Sequence, residues 1–133
     1  MTRRPELATV MLLALVAALA LVLMPRQAAP ATAAAPAPTR VQVTSTEFRL
    51  SMSRVVVPGG RVRIELVNFG EDPHDLKLRR IGGKYTYTIP ETHPGERSTK
   101  TLRLVAGRYQ VWCAVDGHRD WGMRATLRVV PRR

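Results

Sequence analysis

Tyr109-Gln110-Val111-Trp112-Cys113-Ala114-Val115-Asp116-Gly117-His118-Arg119-Asp120-Trp121-Gly122-Met123 begins as a strand, opens into a polar loop and leads toward a second strand. Tyr109, Val111 and Cys113 fall on alternate positions, the pattern of one buried face of a β-strand. Gly117 and Gly122 punctuate the loop, and Ala125, Leu127 and Val129 resume the alternation beyond it. The loop sets a thiol, an imidazole and a thioether at equal intervals, at positions 113, 118 and 123.

Working outward, the same period-two pattern recurs. Arg61-Val62-Arg63-Ile64-Glu65-Leu66 turns Val62, Ile64 and Leu66 to a core and the charges to water. Leu102 and Leu104 face inward from residues 98–105, and Leu76 and Leu78 from residues 75–80. Residues 41–52 read as one further strand, and Val55-Val56-Val57 as another before the Pro58-Gly59-Gly60 turn. Residues 85–89 read as a strand and 90–96 as a loop. No helical period of useful length appears after residue 40. The expectation is an all-β domain of seven or eight short strands, a sandwich or barrel.

The rest of the 133-residue chain divides simply. Arg3 and Arg4 precede a charge-free apolar run over residues 7–24. A basic start before such a run is the pattern of an export signal. The run is also just long enough to remain as a membrane-spanning helix, with Arg3 and Arg4 on the inner side. Residues 1–26 are therefore a signal peptide or membrane anchor. Residues 27–39, rich in Ala and Pro, form a linker, and residues 40–133 form the folded domain. Either fate of the N-terminus places that domain outside the cytoplasm, secreted, periplasmic or anchored.

Residues 40–133 hold 18 Lys and Arg against 9 Asp and Glu, spread along the strands. Such a field attracts acidic partners. Export argues against nucleic acid, the usual partner of a basic chain. Cys113 is the one cysteine, so no internal disulfide forms. An exported lone thiol is a reactive group, an intermolecular bridge or a metal ligand.

Taken singly, each polar or sulfur residue has an ordinary role: Cys113 and Met123 as core, His74 and His118 as loop residues. Their joint order carries the chemistry. A thiolate is a soft, strong donor to copper in both oxidation states, two neutral imidazoles complete a trigonal plane, and a distant thioether tunes the potential. A β framework that holds the donors still keeps reorganisation small when an electron moves.

Cys113-x4-His118-x4-Met123, with Asn68-x-Gly70-x-x-Pro73-His74 upstream, resembles the cupredoxins, the family of plastocyanin, azurin, auracyanin and amicyanin. The resemblance spans residues 41–130. It implies a Greek-key β-sandwich and one type 1 copper ion bound by His74, Cys113, His118 and Met123. It also implies one-electron transfer between redox proteins, with the electron leaving through an exposed edge of His118. The net charge suggests partners with acidic docking surfaces, and the domain is expected to be a monomer. Two features depart from the family pattern. Asp75 stands where the family often has Asn, and His118 has charged neighbours where the family often has an apolar patch. A binuclear copper site needs a second Cys where Gly117 stands, and is excluded.

The other readings are copper storage or delivery, and a copper-free binding module. The first calls for more surface Met and His than Met52 and Met123 supply, and the second leaves the donor set unexplained. No Ser/His/Asp set and no paired carboxylates suggest an enzyme. His93 reads as a surface loop residue, and Trp121 as a cover for the site or part of a docking face.

Overall fold

A computed structural model describes residues 34–133. The apolar run and most of the linker lie outside the described residues. β1 (Thr39–Thr46), β2 (Arg49–Met52), β3 (Val56–Pro58), β4 (Gly60–Asn68) and β5 (His74–Arg80) are followed by β6 (Thr86–Thr92), β7 (Arg97–Leu104), β8 (Gly107–Trp112) and β9 (Arg124–Val130). They form two sheets, in the orders β2-β1-β4-β7 and β3-β9-β8-β5-β6. No helix occurs among the described residues.

The alternation read from the sequence sets which residues face inward. Val41, Val43, Val62, Ile64, Leu66, Leu102 and Leu104 of the first sheet meet Leu76, Leu78, Ile89, Tyr109, Val111, Leu127 and Val129 of the second in one core. Side chains of successive strand residues point to opposite faces, so over most of each strand these residues are buried while their neighbours are wet; toward the metal end β4, β5 and β8 bury both faces. Tyr109 donates its hydroxyl to the Val105 carbonyl (3.0 Å) and accepts the Val105 N–H (3.2 Å), tying the β7–β8 connection to the core.

Three boundaries differ from the sequence expectation. Residues 41–52 are two antiparallel strands, with Thr46 opposite Arg49. The turn at Glu47 and Phe48 contains no Gly, Pro or Asn, so nothing in the composition marks it, and the strand count rises to nine. β6 continues through Pro90 to Thr92. It lies at the edge of its sheet, where a missing N–H costs no ladder bond. The strand expected over residues 109–115 stops at Trp112, and Cys113 N–H donates to the Met123 carbonyl (3.1 Å), which opens the loop.

Strand directions also sort the charges that looked scattered along the chain. The loops after β1, β4, β6 and β8 share one end of the sandwich with His74 and Cys113. That end carries seven carboxylates: Glu47, Glu71, Asp72, Glu91, Glu96, Asp116 and Asp120, all exposed. Against them stand Arg49, Arg97, Arg119 and Arg124. At the opposite end the chain enters β1, and ten exposed cations gather. Strand residues supply Arg40, Arg61, Arg80, Arg103, Arg108 and Arg128. Turns and the C-terminus add Arg54, Lys84, Arg132 and Arg133. No carboxylate stands at this end among the described residues.

Candidate metal centre

The β4–β5 loop delivers the first imidazole. Asn68, fully buried at the end of β4, donates its amide to the carbonyls of Asp72 (2.8 Å) and Thr92 (2.9 Å). Its Oδ1 accepts the Gly70 N–H (2.8 Å) and the Ser45 hydroxyl (3.4 Å). These bonds fold the loop back so that β5 starts at His74, with its side chain inward.

The β8–β9 loop delivers the rest. His118 N–H donates to Val115 O (3.1 Å), and Met123 N–H donates to His118 O (2.9 Å). Gly117 sits at φ +78°, and a Cβ there would lie 2.8 Å from the Trp121 ring. Glycine is thus required both by the backbone and by the indole packed over it.

The three donor atoms converge. His74 Nδ1 and His118 Nδ1 are 3.1 Å apart, and Cys113 Sγ lies 4.0 Å from the first and 3.8 Å from the second. A metal held about 2.0 Å from nitrogen and about 2.3 Å from sulfur puts its donors roughly 3 to 4 Å apart. The observed spacings match. All three residues are buried, at 0%, 0% and 4% exposure for His74, Cys113 and His118. Met123 is also fully buried, and its backbone bonds to both Cys113 and His118.

The hydrogen bonds around the imidazoles suit a cation at their centre. His74 Nε2 lies 3.2 Å from Glu47 Oε1. A proton on Nε2, donated to that carboxylate, leaves a lone pair on Nδ1 facing the other imidazole and the sulfur. With His118 Nδ1 also unprotonated, the two lone pairs at 3.1 Å face one point and suit a shared cation; without a metal, one proton between them makes a hydrogen bond. His118 Nε2 lies 4.0 Å from Asp72 Oδ2. The donor arrangement of His74, Cys113 and His118 fits a type 1 copper ion.

Glu47 is the residue that sequence reasoning missed. Its Oε1 also accepts the N–H groups of Glu71 (2.7 Å) and Asp72 (2.9 Å). These bonds, that of Asp72 foremost, draw its carboxyl down to about 2. A Cβ at position 70 would collide with this carboxylate, which explains Gly70. The only available signal was a carboxylate at the end of a strand pattern, and that is common.

Burial pushes the Cys113 thiol up, while N–H groups of Val115 and Asp75 pull it back. A metal held by this sulfur as thiolate would displace that proton. Asp75 Oδ1 accepts the Ala114 N–H (2.5 Å) and its Oδ2 pairs with Lys77 (3.2 Å). The carboxylate thus pins the residue after Cys113 to β5, so the departure at position 75 keeps a tether to the loop.

His118 is not itself exposed. Phe48 meets its ring edge-on at 5.0 Å, and Trp121 tilts over it at 5.8 Å between centroids. Trp121 is 62% exposed and is the outer member of this stack. His93 is exposed, in the loop after β6.

No protein-family model and no curated protein matches the chain. Solved structures do. Reduced auracyanin from Roseiflexus castenholzii is similar with a TM-score of 0.57 at 20% identity, over 72% of this chain and 100% of that one. Auracyanin A, a "blue" copper protein from Chloroflexus aurantiacus, gives 0.58 at 19% identity, over 71% and 100%. Amicyanin from Paracoccus versutus gives 0.53 at 21% identity, over 74% and 87%. The fold is cupredoxin-like.

Proposed function

We propose that this chain binds one copper ion through Nδ1 of His74, Nδ1 of His118 and Sγ of Cys113, with Met123 as a weak fourth donor, and carries single electrons between redox partners outside the cytoplasm. The observation that carries the proposal is the convergence of three buried donor atoms within 4.8 Å of one another. The ion, when bound, supplies a one-electron couple. The chain's part is to hold the donors fixed and to exclude water. Asn68, Glu47 and Asp75 fasten the loops that bear them. Copper(II) added to the purified protein should yield an intensely coloured solution with a strong visible band. A colourless protein would sink the site.

Storage or delivery of copper fits less well, because transfer requires incoming donors to reach the ion. His74 and Cys113 expose no surface, and two aromatic rings cover His118. An enzyme would need its reacting atoms open to a substrate, and His74, Cys113 and His118 expose at most 4% of their surface. The domain acts outside the cytoplasm if residues 1–26 serve as signal or anchor.

Electrons enter and leave at the site end, through Trp121 and Phe48. Asp116, Asp120, Glu71 and Asp72 rim that end. A partner with basic groups around an apolar contact suits it. The acidic partner inferred from net charge does not, because the cations lie at the far end.

Asp75 gives a test of the electrostatics. Asp75→Asn retains an oxygen for the Ala114 N–H and removes a negative charge beside the sulfur. That charge favours the more positive oxidised ion. The variant should keep its colour and raise its reduction potential by tens of millivolts in voltammetry at fixed pH. A lowered potential would contradict this account.

A further inference from the structure

We infer that the basic pole of the sandwich rests on an anionic lipid surface and turns the metal end away from it. Charge is segregated along the strands: ten exposed cations and no described carboxylate at one pole, seven carboxylates against four cations at the other. The chain enters β1 at the basic pole, where Thr39 pairs with Val62. The apolar run ends at residue 24, so the linker to β1 is short. The fourteen residues from 25 to 38 would span about 43 Å as an extended Pro-rich chain. An anchored domain is therefore confined within that reach of the headgroups, and its tether attaches at the same end that carries its positive charge. Each Lys or Arg near an anionic surface is attracted, within a Debye length of about 8 Å. The carboxylates of the metal end are repelled by the same surface, so both poles favour one orientation.

An acidic redox protein suits this pole less well. The nine residues of β4 separate the two ends, and at about 3.3 Å per residue that is roughly 30 Å. A redox partner seated on the cations would lie that far from His118, too far for useful electron transfer. A lipid surface needs no access to the metal. The inference rests on the anchor reading of residues 7–24 for proximity, and on the structure for the charge.

The full chain, reconstituted in nanodiscs, separates the two. Co-elution with the discs reports the anchor. Amide hydrogen exchange is then compared in discs containing phosphatidylglycerol and in discs of phosphatidylcholine alone. Loops 53–55, 81–85 and 105–107 should exchange severalfold more slowly on the anionic discs. High salt should abolish the difference, and so should the combined variant Arg54→Gln, Lys84→Gln, Arg108→Gln and Arg133→Gln, all at exposed positions. Loops 69–73 and 114–122 should not change. Equal exchange on both discs, or slowing at the metal end, overturns the inference. Slowing of the pole loops only when an acidic polypeptide is added to the neutral discs also overturns it, and assigns the pole to an acidic protein.

Discussion

Cys113→Ser is expected to abolish the visible band and to weaken copper binding by more than two orders of magnitude, while the sandwich stays folded. The colour of such a site arises from charge transfer between a thiolate and copper(II), and a hydroxyl offers no comparable donor. Serine at this position is also a hard, poorly ionised ligand. Loss of an outer hydrogen-bonding partner of a metal ligand typically costs about 10–100-fold in affinity, so loss of the thiolate itself should cost more. The folded state has less at stake. Cys113 is fully buried but stands outside the main hydrophobic cluster of the two sheets. A buried hydroxyl without a good partner costs about 1–3 kcal/mol, within the reserve of an ordinary domain. Copper titration followed by absorbance, with a thermal melt of the metal-free variant, separates the two effects. A variant that kept the band would remove residue 113 from the site, and one that failed to fold would show that the residue is chiefly structural.

Much of this was legible in the chain before any coordinates. Val62, Ile64 and Leu66 alternate with charges, and each lies in the core. Cys113, His118 and His74 stood out because soft and nitrogen donors at strand ends are chemically distinctive, and they do converge. Three things were hidden. Glu47 reaches His74 across 27 residues from a turn that lacks any turn-forming residue. Period-two reading passes through such a turn without a break, because Thr46-Glu47-Phe48-Arg49 continues a plausible strand. The polarity of charge was hidden for a different reason. Most connections reverse the chain, so residues far apart in sequence meet at one pole: Arg61, near the start of β4, pairs with Arg103, near the end of β7. A count along the chain sees dispersal where the fold makes a cluster. The aromatic cover on His118 needed the same long-range information, since Phe48 comes from the β1–β2 turn.

Asn68→Ala should produce the largest loss of stability of any polar substitution near the site. The side chain makes four bonds, to Asp72, Thr92, Gly70 and Ser45, and is fully buried. Alanine leaves the carbonyls of Asp72 and Thr92 and the N–H of Gly70 without these partners. A group stranded away from water costs about 1–3 kcal/mol, and the three share one loop, so their costs overlap and a total of about 3 kcal/mol is expected. For a domain of this size that corresponds to a fall in melting temperature of roughly 12–24 °C. Ser45→Ala is the control. It removes only long contacts, to Asn68 Oδ1 (3.4 Å) and to the Val67 carbonyl (3.5 Å), and should cost less than about 1 kcal/mol. The loop from Phe69 to Pro73 places His74, so Asn68→Ala should also lower copper affinity at temperatures where the protein is still folded. Equal melting temperatures for Asn68→Ala and Ser45→Ala would mean that the loop is held by Glu47 and the strand ladder alone. Asn68 would then have no part in building the metal centre.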